Sequence, residues 1–150
     1  MLHIALYQPE IPANTGNIAR LTAATRTTLH LVKPLGFSLS DRYLKRAGLD
    51  YWPHVKLEVH ESLDELYNRL PGSRFFYFST KAKKSYTKVQ YMDEDVFVFG
   101  PETRGLPEEV LFSSPENALT IPMEGQVRSL NLSSSAAVVL YEALRQIKGF

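Results

Sequence analysis

The chain has 150 residues, 44% hydrophobic and 22% charged, with a formal net charge of +1. This suits one soluble domain with a sizeable core and leaves any nucleic-acid partner to a local basic patch rather than to overall charge. There are no cysteines, which excludes disulfides, thiolate metal sites and a cysteine nucleophile and fits a cytoplasmic protein. Met1-Leu2-His3-Ile4 shows no signal-peptide pattern, and no apolar run approaches the ~20 residues of a membrane span, so no membrane partner is expected.

In chain order, residues 2–7 alternate and are rich in strand formers, predicting a strand. Asn14 can cap a helix running to about Arg26, and residues 28–32 form a second strand. Ser40 or Asp41 begins a short helix that Gly48 can end, and residues 56–59 suit a short strand. Ser62 caps a helix over 63–70, with Asp64 and Glu65 in its first turn and Pro71-Gly72 as its stop. Residues 74–80 and 96–99 are apolar runs of the buried-strand type. A short helix over 107–112 and a last strand over 119–121 follow. Leu132, Ala136, Leu140, Ala143 and Ile147 then recur at helical period up to Gly149. Strands alternating with helices predict an α/β fold with a mostly parallel sheet flanked by helices. No repeat, linker or low-complexity tract interrupts residues 1–150, so one domain is expected.

Three loops stand where strands hand over to helices, the place where α/β sheets bind ligands. The first holds Asn14, Asn17 and Arg20. Asn14 suits a helix N-cap. Asn17 and Arg20 share a helical face, and a cation near a helix N-terminus calls for an anionic partner, either a phosphate or a nearby carboxylate. The second is Gly100-Pro101-Glu102-Thr103-Arg104-Gly105. Gly100 would let a ligand ring approach the backbone, and Glu102 and Arg104 offer rim charges; taken alone, the loop reads more readily as a tight turn with a surface ion pair. The third is Ile121-Pro122-Met123 with Arg128-Ser129-Leu130-Asn131, where Ser129 or Asn131 can cap the last helix.

Two basic clusters are interleaved with aromatics: Lys81, Lys83, Lys84 and Lys88 around Tyr86 and Tyr91, and Arg42, Lys45 and Arg46 around Tyr43, Tyr51 and Trp52. Such mixtures suit phosphate contact with base stacking, and also describe an ordinary solvated face. His3, His30, His54 and His60 show no metal-ligand spacing, so no metal is expected.

Together the three segments resemble the SPOUT class of S-adenosylmethionine-dependent RNA methyltransferases. Asn14-x-Gly16-x-x-x-Arg20 is similar to its first motif, Phe99-Gly100-Pro101-Glu102-x-x-Gly105-Leu106 to its second, and Ile121-Pro122-Met123 with Ser129-Leu130-Asn131-Leu132-Ser133 to its third. Residues 6–12, 34–37 and 46–51 resemble the minimal single-domain branch, which methylates the ribose 2′-oxygen of the wobble nucleotide in certain tRNAs; the alternatives are another tRNA or rRNA position, or a noncatalytic RNA-binding module. Ser134 departs from the Asn that relatives often carry there. The resemblance implies a deep C-terminal trefoil knot, a homodimer and S-adenosylmethionine as methyl donor. It implies that Phe78, Gly100, Ile121, Ser129 and Leu130 line the donor pocket. Asn14, Arg20, Glu102, Ser129 and Asn131 would surround the reacting ribose, and the tRNA would meet the two basic clusters. Val138 and Val139, beside the last helix's apolar stripe, are the expected pairing surface.

Overall fold

The computed structural model describes residues 1–48 and 51–150. Leu49 and Asp50, part of one of the resembling segments, lie outside the described residues. Seven strands form one sheet: β1 (His3–Tyr7), β2 (Thr28–Val32), β3 (Lys56–His60), β4 (Phe75–Phe78), β5 (Lys84–Ser85), β6 (Val96–Phe99) and β7 (Ala118–Thr120). Their order is β3-β2-β1-β6-β4-β7-β5, and every neighbouring pair is parallel. The helices are α1 (Pro12–Thr25), α2 (Arg42–Gly48), α3 (Leu63–Arg69), α4 (Glu108–Leu111) and α5 (Leu132–Lys148). Among the described residues no helix is long and apolar enough to cross a membrane.

A parallel sheet needs cover on both faces, which is why its central strands are continuous apolar runs. On one face Ile4, Leu6, Leu29, Leu31, Phe97 and Phe99 pack with Ile18 and Ala19 of α1 and with Ala136, Val139, Leu140 and Ala143 of α5. On the other, Ala5, Val32, Tyr77, Val96 and Val98 pack with Leu66 of α3 and Leu111 of α4. Val139 is therefore a core residue rather than pairing surface. Its neighbour Val138 is 38% exposed and shares an open stripe of α5 with Tyr141.

Local chemistry sets the helix ends. Asp41 accepts from the Tyr43 and Leu44 amides at 2.8 and 3.3 Å, Ser62 caps α3 through Glu65 N, and α5 ends at Gly149 in the left-handed region. The expected cap of α1 is corrected. The helix opens at Pro12, its N-cap Ile11 has no side-chain bond, and Asn14 is already inside and buried. Gly16 admits α2: a Cβ there would stand 2.5 Å from Ala47 Cβ and 2.8 Å from Leu44 O. Strand β5, unforeseen from sequence, is two residues paired to β7.

Candidate active site

The carboxyl ends of β4, β6 and β7 open into a cleft of about 510 Å³. Phe78 and Ser79 follow β4, Gly100 to Leu106 follow β6, and Ile121 and Met123 follow β7. Arg128 to Leu132 lead into α5, and Ile11 and Asn14 close the wall at the start of α1. All five proposed donor-pocket residues, Phe78, Gly100, Ile121, Ser129 and Leu130, are on this wall, as are Asn14, Glu102, Asn131 and Lys81. The wall mixes apolar side chains with convergent polar groups, the usual make-up of a small-molecule site of this size.

The loop after β6 folds back on itself. Gly105 N donates to Pro101 O at 2.8 Å, and Gly105 itself takes φ +70°. A Cβ on Gly100 would fall 2.3 Å from Leu106 N and 2.5 Å from Gly105 C. The glycine is thus required by the loop's own backbone.

Glu102 joins this loop to α1. Its Oε1 accepts from Glu10 N at 2.8 Å, and its Oε2 accepts from Ile11 N at 2.9 Å and from Asn14 Nδ2 at 3.2 Å. Helix α1 has no acidic residue in its first turn, so a carboxylate from far along the chain meets the N-cap amide, the amide before it and the positive dipole end. Glu10 answers in kind, accepting from Thr103 N and Oγ1 at 2.9 and 2.7 Å. These bonds hold the Glu10 carboxyl below the usual carboxylate range. Arg104 reaches Gln8 Oε1 at 3.3 Å and Glu10 Oε2 at 3.8 Å.

The third segment enters through Asn131. Its Oδ1 accepts from Ser133 N, Ser133 Oγ and Ser134 N, capping α5, and its Nδ2 donates to Asn14 Oδ1 at 3.2 Å. Asn14 passes the relay on to Glu102. The two amide orientations follow from this network. One continuous hydrogen-bond chain, α5 to Asn131 to Asn14 to Glu102 to the head of α1, therefore ties all three segments together beside the cleft.

Arg20 stands apart. It lies six residues beyond Asn14, about 9 Å along the helix. It is exposed, and among the described residues its guanidinium lies 4.8 Å over the Tyr51 ring. Of the basic clusters, Lys81 pairs with Glu108 at 3.3 Å on the cleft rim and Lys84 donates to Glu116 O, while Lys83, Lys88, Lys45 and Arg46 are exposed. Arg42 stacks on Tyr43. The aromatics divide. Tyr91 is buried against Phe76 and Phe97 and serves the core, and Trp52 and Tyr86 pack partly against it.

Sequence spacing missed one cluster. His3, His30 and His60 come together across β1, β2 and β3, strands that do not line the cleft. Parallel neighbours lie tens of residues apart in sequence, so no short-range motif announces them. Burial, and then the neighbouring His3 and His60, lower His30 to about 3.

Comparison with known proteins gives a consistent picture. Residues 1–141 match the model of the SpoU rRNA Methylase family. The tRNA (cytidine(34)-2′-O)-methyltransferase of Methylovorus glucosotrophus is 56% identical over 147 residues, covering 97% of this chain and 96% of that protein. A solved structure concerned with 2-OH methylation of C/U34 on tRNA is 54% identical with a TM-score of 0.95, covering 100% of this chain and 98% of the other. The SpoU methyltransferase AviRb from Streptomyces viridochromogenes, solved with AdoMet, is similar in fold. Its TM-score is 0.86 at 22% identity, over 97% of this chain and 60% of that one.

Proposed function

The chain belongs to the SpoU rRNA Methylase family, and from that premise we propose that it methylates the ribose 2′-hydroxyl of nucleotide 34 of tRNA, as its relative from Methylovorus glucosotrophus is named for doing. The observation that carries this reading is the Asn131–Asn14–Glu102 chain beside the cleft. It fixes two amides, each with one N–H left over from the chain for a sugar hydroxyl, at the mouth of a cavity large enough for a nucleoside-sized donor.

The residues present suit S-adenosylmethionine. The Phe78, Ile121 and Leu130 side chains offer apolar faces for an adenosyl group, and the backbone around Gly100 and Ser129 offers polar edges. When bound, that donor supplies a methyl group on a sulfonium that leaves readily, so the protein's task is mainly to align and dry the reacting pair. Asn14 and Asn131 orient the ribose. Glu102 is a positioning residue, its two oxygens already taken by three donors. Arg20, off the cleft wall over Tyr51, holds the phosphate beside the ribose, whose hydroxyl proton passes to phosphate or water.

The tRNA meets Arg42, Lys45, Arg46, Lys81, Lys83, Lys84 and Lys88. A homodimer is supported by the open α5 stripe of Val138 and Tyr141 and enlarges the footprint that a net charge of +1 must serve. We assign the protein to the cytoplasm, as one domain over the described chain. The test is to incubate purified protein with labelled S-adenosylmethionine and unmodified tRNA, then map 2′-O-methyl groups by nuclease resistance. Methylation at nucleotide 34 alone is expected; methylation only elsewhere, or none, overturns the reading.

A further inference from the structure

His3 Nδ1 lies 2.9 Å from His30 Nε2, and His30 Nδ1 lies 2.9 Å from His60 Nε2. Each end of this row faces a carboxylate: His3 Nε2 is 2.9 Å from Glu94 Oε1, and His60 Nδ1 is 3.7 Å from Glu65 Oε1. Glu58 stands beside the His30–His60 link, its Oε1 3.8 Å from each of the two facing nitrogens. All three rings are buried, while Glu58 on the edge strand β3 is partly open.

A neutral imidazole carries one N–H and one lone pair. Three neutral rings fill the three 2.9 Å links from Glu94 to His60, and this leaves the His60 Nδ1 lone pair facing the Glu65 carboxylate 3.7 Å away. A cation between His30 Nδ1 and His60 Nε2 turns that ring nitrogen into a donor. Both nitrogens then give it their lone pairs, and the three protons fill the remaining links: His60 Nδ1–H to Glu65, His30 Nε2–H to His3, and His3 Nε2–H to Glu94. Each ligating ring thus hands its second N–H toward a carboxylate, once directly and once through His3, the outer arrangement that orients metal-bound histidines.

The distances agree with a metal. A triangle with sides 2.9, 3.8 and 3.8 Å has its centre about 2.1 Å from each corner, the usual zinc–nitrogen and zinc–carboxylate separation. Arg69 Nε lies 3.1 Å from the same Glu58 oxygen and steadies it from outside.

We propose that His30, His60 and Glu58 bind one divalent cation of the zinc class, with solvent completing its coordination at the open side of β3. The ion pins edge strand β3 to β2 and, through Glu65, to α3. Its place is structural, away from the methyl-transfer cleft.

The test uses untagged full-length protein, dialysed against a chelator and titrated with zinc chloride in competition with a chromophoric chelator. One zinc per chain is expected. Affinity should fall at least about tenfold in Glu58→Gln, binding should vanish in His60→Ala, and His54→Ala, which alters the exposed histidine, should bind as the parent does. Glu58→Gln changes a partly exposed side chain and keeps the assay decisive if His60→Ala fails to fold. Nitrogen NMR of the histidine rings in the parent protein should show zinc moving His30 Nδ1 and His60 Nε2. Absence of saturable binding, equal affinity in Glu58→Gln, or zinc-dependent shifts at His54 instead would overturn the site.

Discussion

Glu102→Gln replaces one oxygen by an amide nitrogen and asks whether this carboxylate is a clamp. In the parent, one oxygen accepts from Glu10 N at 2.8 Å and the other from Ile11 N at 2.9 Å and Asn14 Nδ2 at 3.2 Å. Whichever way the new amide turns, an NH₂ group confronts at least one N–H. A hydrogen bond to a charged group contributes about 1.5–3 kcal/mol, and the lost anion at the head of α1 adds about 0.3–1 kcal/mol. The loss is therefore about 2–4 kcal/mol, which for a chain of this size lowers the melting temperature by roughly 5–15 °C. Asn14 loses its anchor as well, so methyl transfer should fall further than donor affinity. Scanning calorimetry reads the first effect, and transfer and donor-binding assays read the second. A variant that melts with the parent yet transfers no methyl would refute the clamp and put Glu102 into the chemistry.

Arg20→Ala should abolish transfer while donor affinity measured by calorimetry stays within about twofold, and Arg20→Lys should rescue poorly because an ammonium does not reproduce a planar fork. Gly100→Ala should lower both donor affinity and melting temperature, since its methyl group would meet Leu106 N at 2.3 Å; unchanged values would mean that the loop has slack. Replacing Lys81, Lys83, Lys84 and Lys88 by Ala should weaken tRNA binding and flatten its log–log salt dependence by roughly 0.7–0.9 for each phosphate that is no longer neutralised, with donor binding unaffected.

Residues 96–99, a continuous apolar run, and residues 28–32, Thr-Leu-His-Leu-Val, match β6 and β2 end for end, and both strands are buried throughout. Strand β5 was not legible, because two residues held by main-chain pairing to β7 leave no hydrophobic period. The cap of α1 misled for a related reason. A local side-chain oxygen is the usual signal, but here the capping carboxylate comes from Glu102, 91 residues beyond Ile11. The loops that line the cleft were found through their Gly, Pro and amide content. What joins them, the Asn131–Asn14 contact across 117 residues, follows only from the sheet order. The histidine row is the clearest case: His3, His30 and His60 are single residues of separate strands until parallel pairing sets them side by side. Periodicity gives no sign of a knot, and that expectation rests on the resemblance alone.

The most direct measurement compares two tRNA anticodon-arm substrates that differ at one atom, a ribose and a 2′-deoxyribose at nucleotide 34, with the same protein and the same labelled S-adenosylmethionine. The account predicts about one methyl group per ribose-containing molecule and none on the deoxy substrate, with both binding the protein alike. Equal incorporation into the two would place the methyl group somewhere other than the 2′-oxygen of nucleotide 34 and contradict the account.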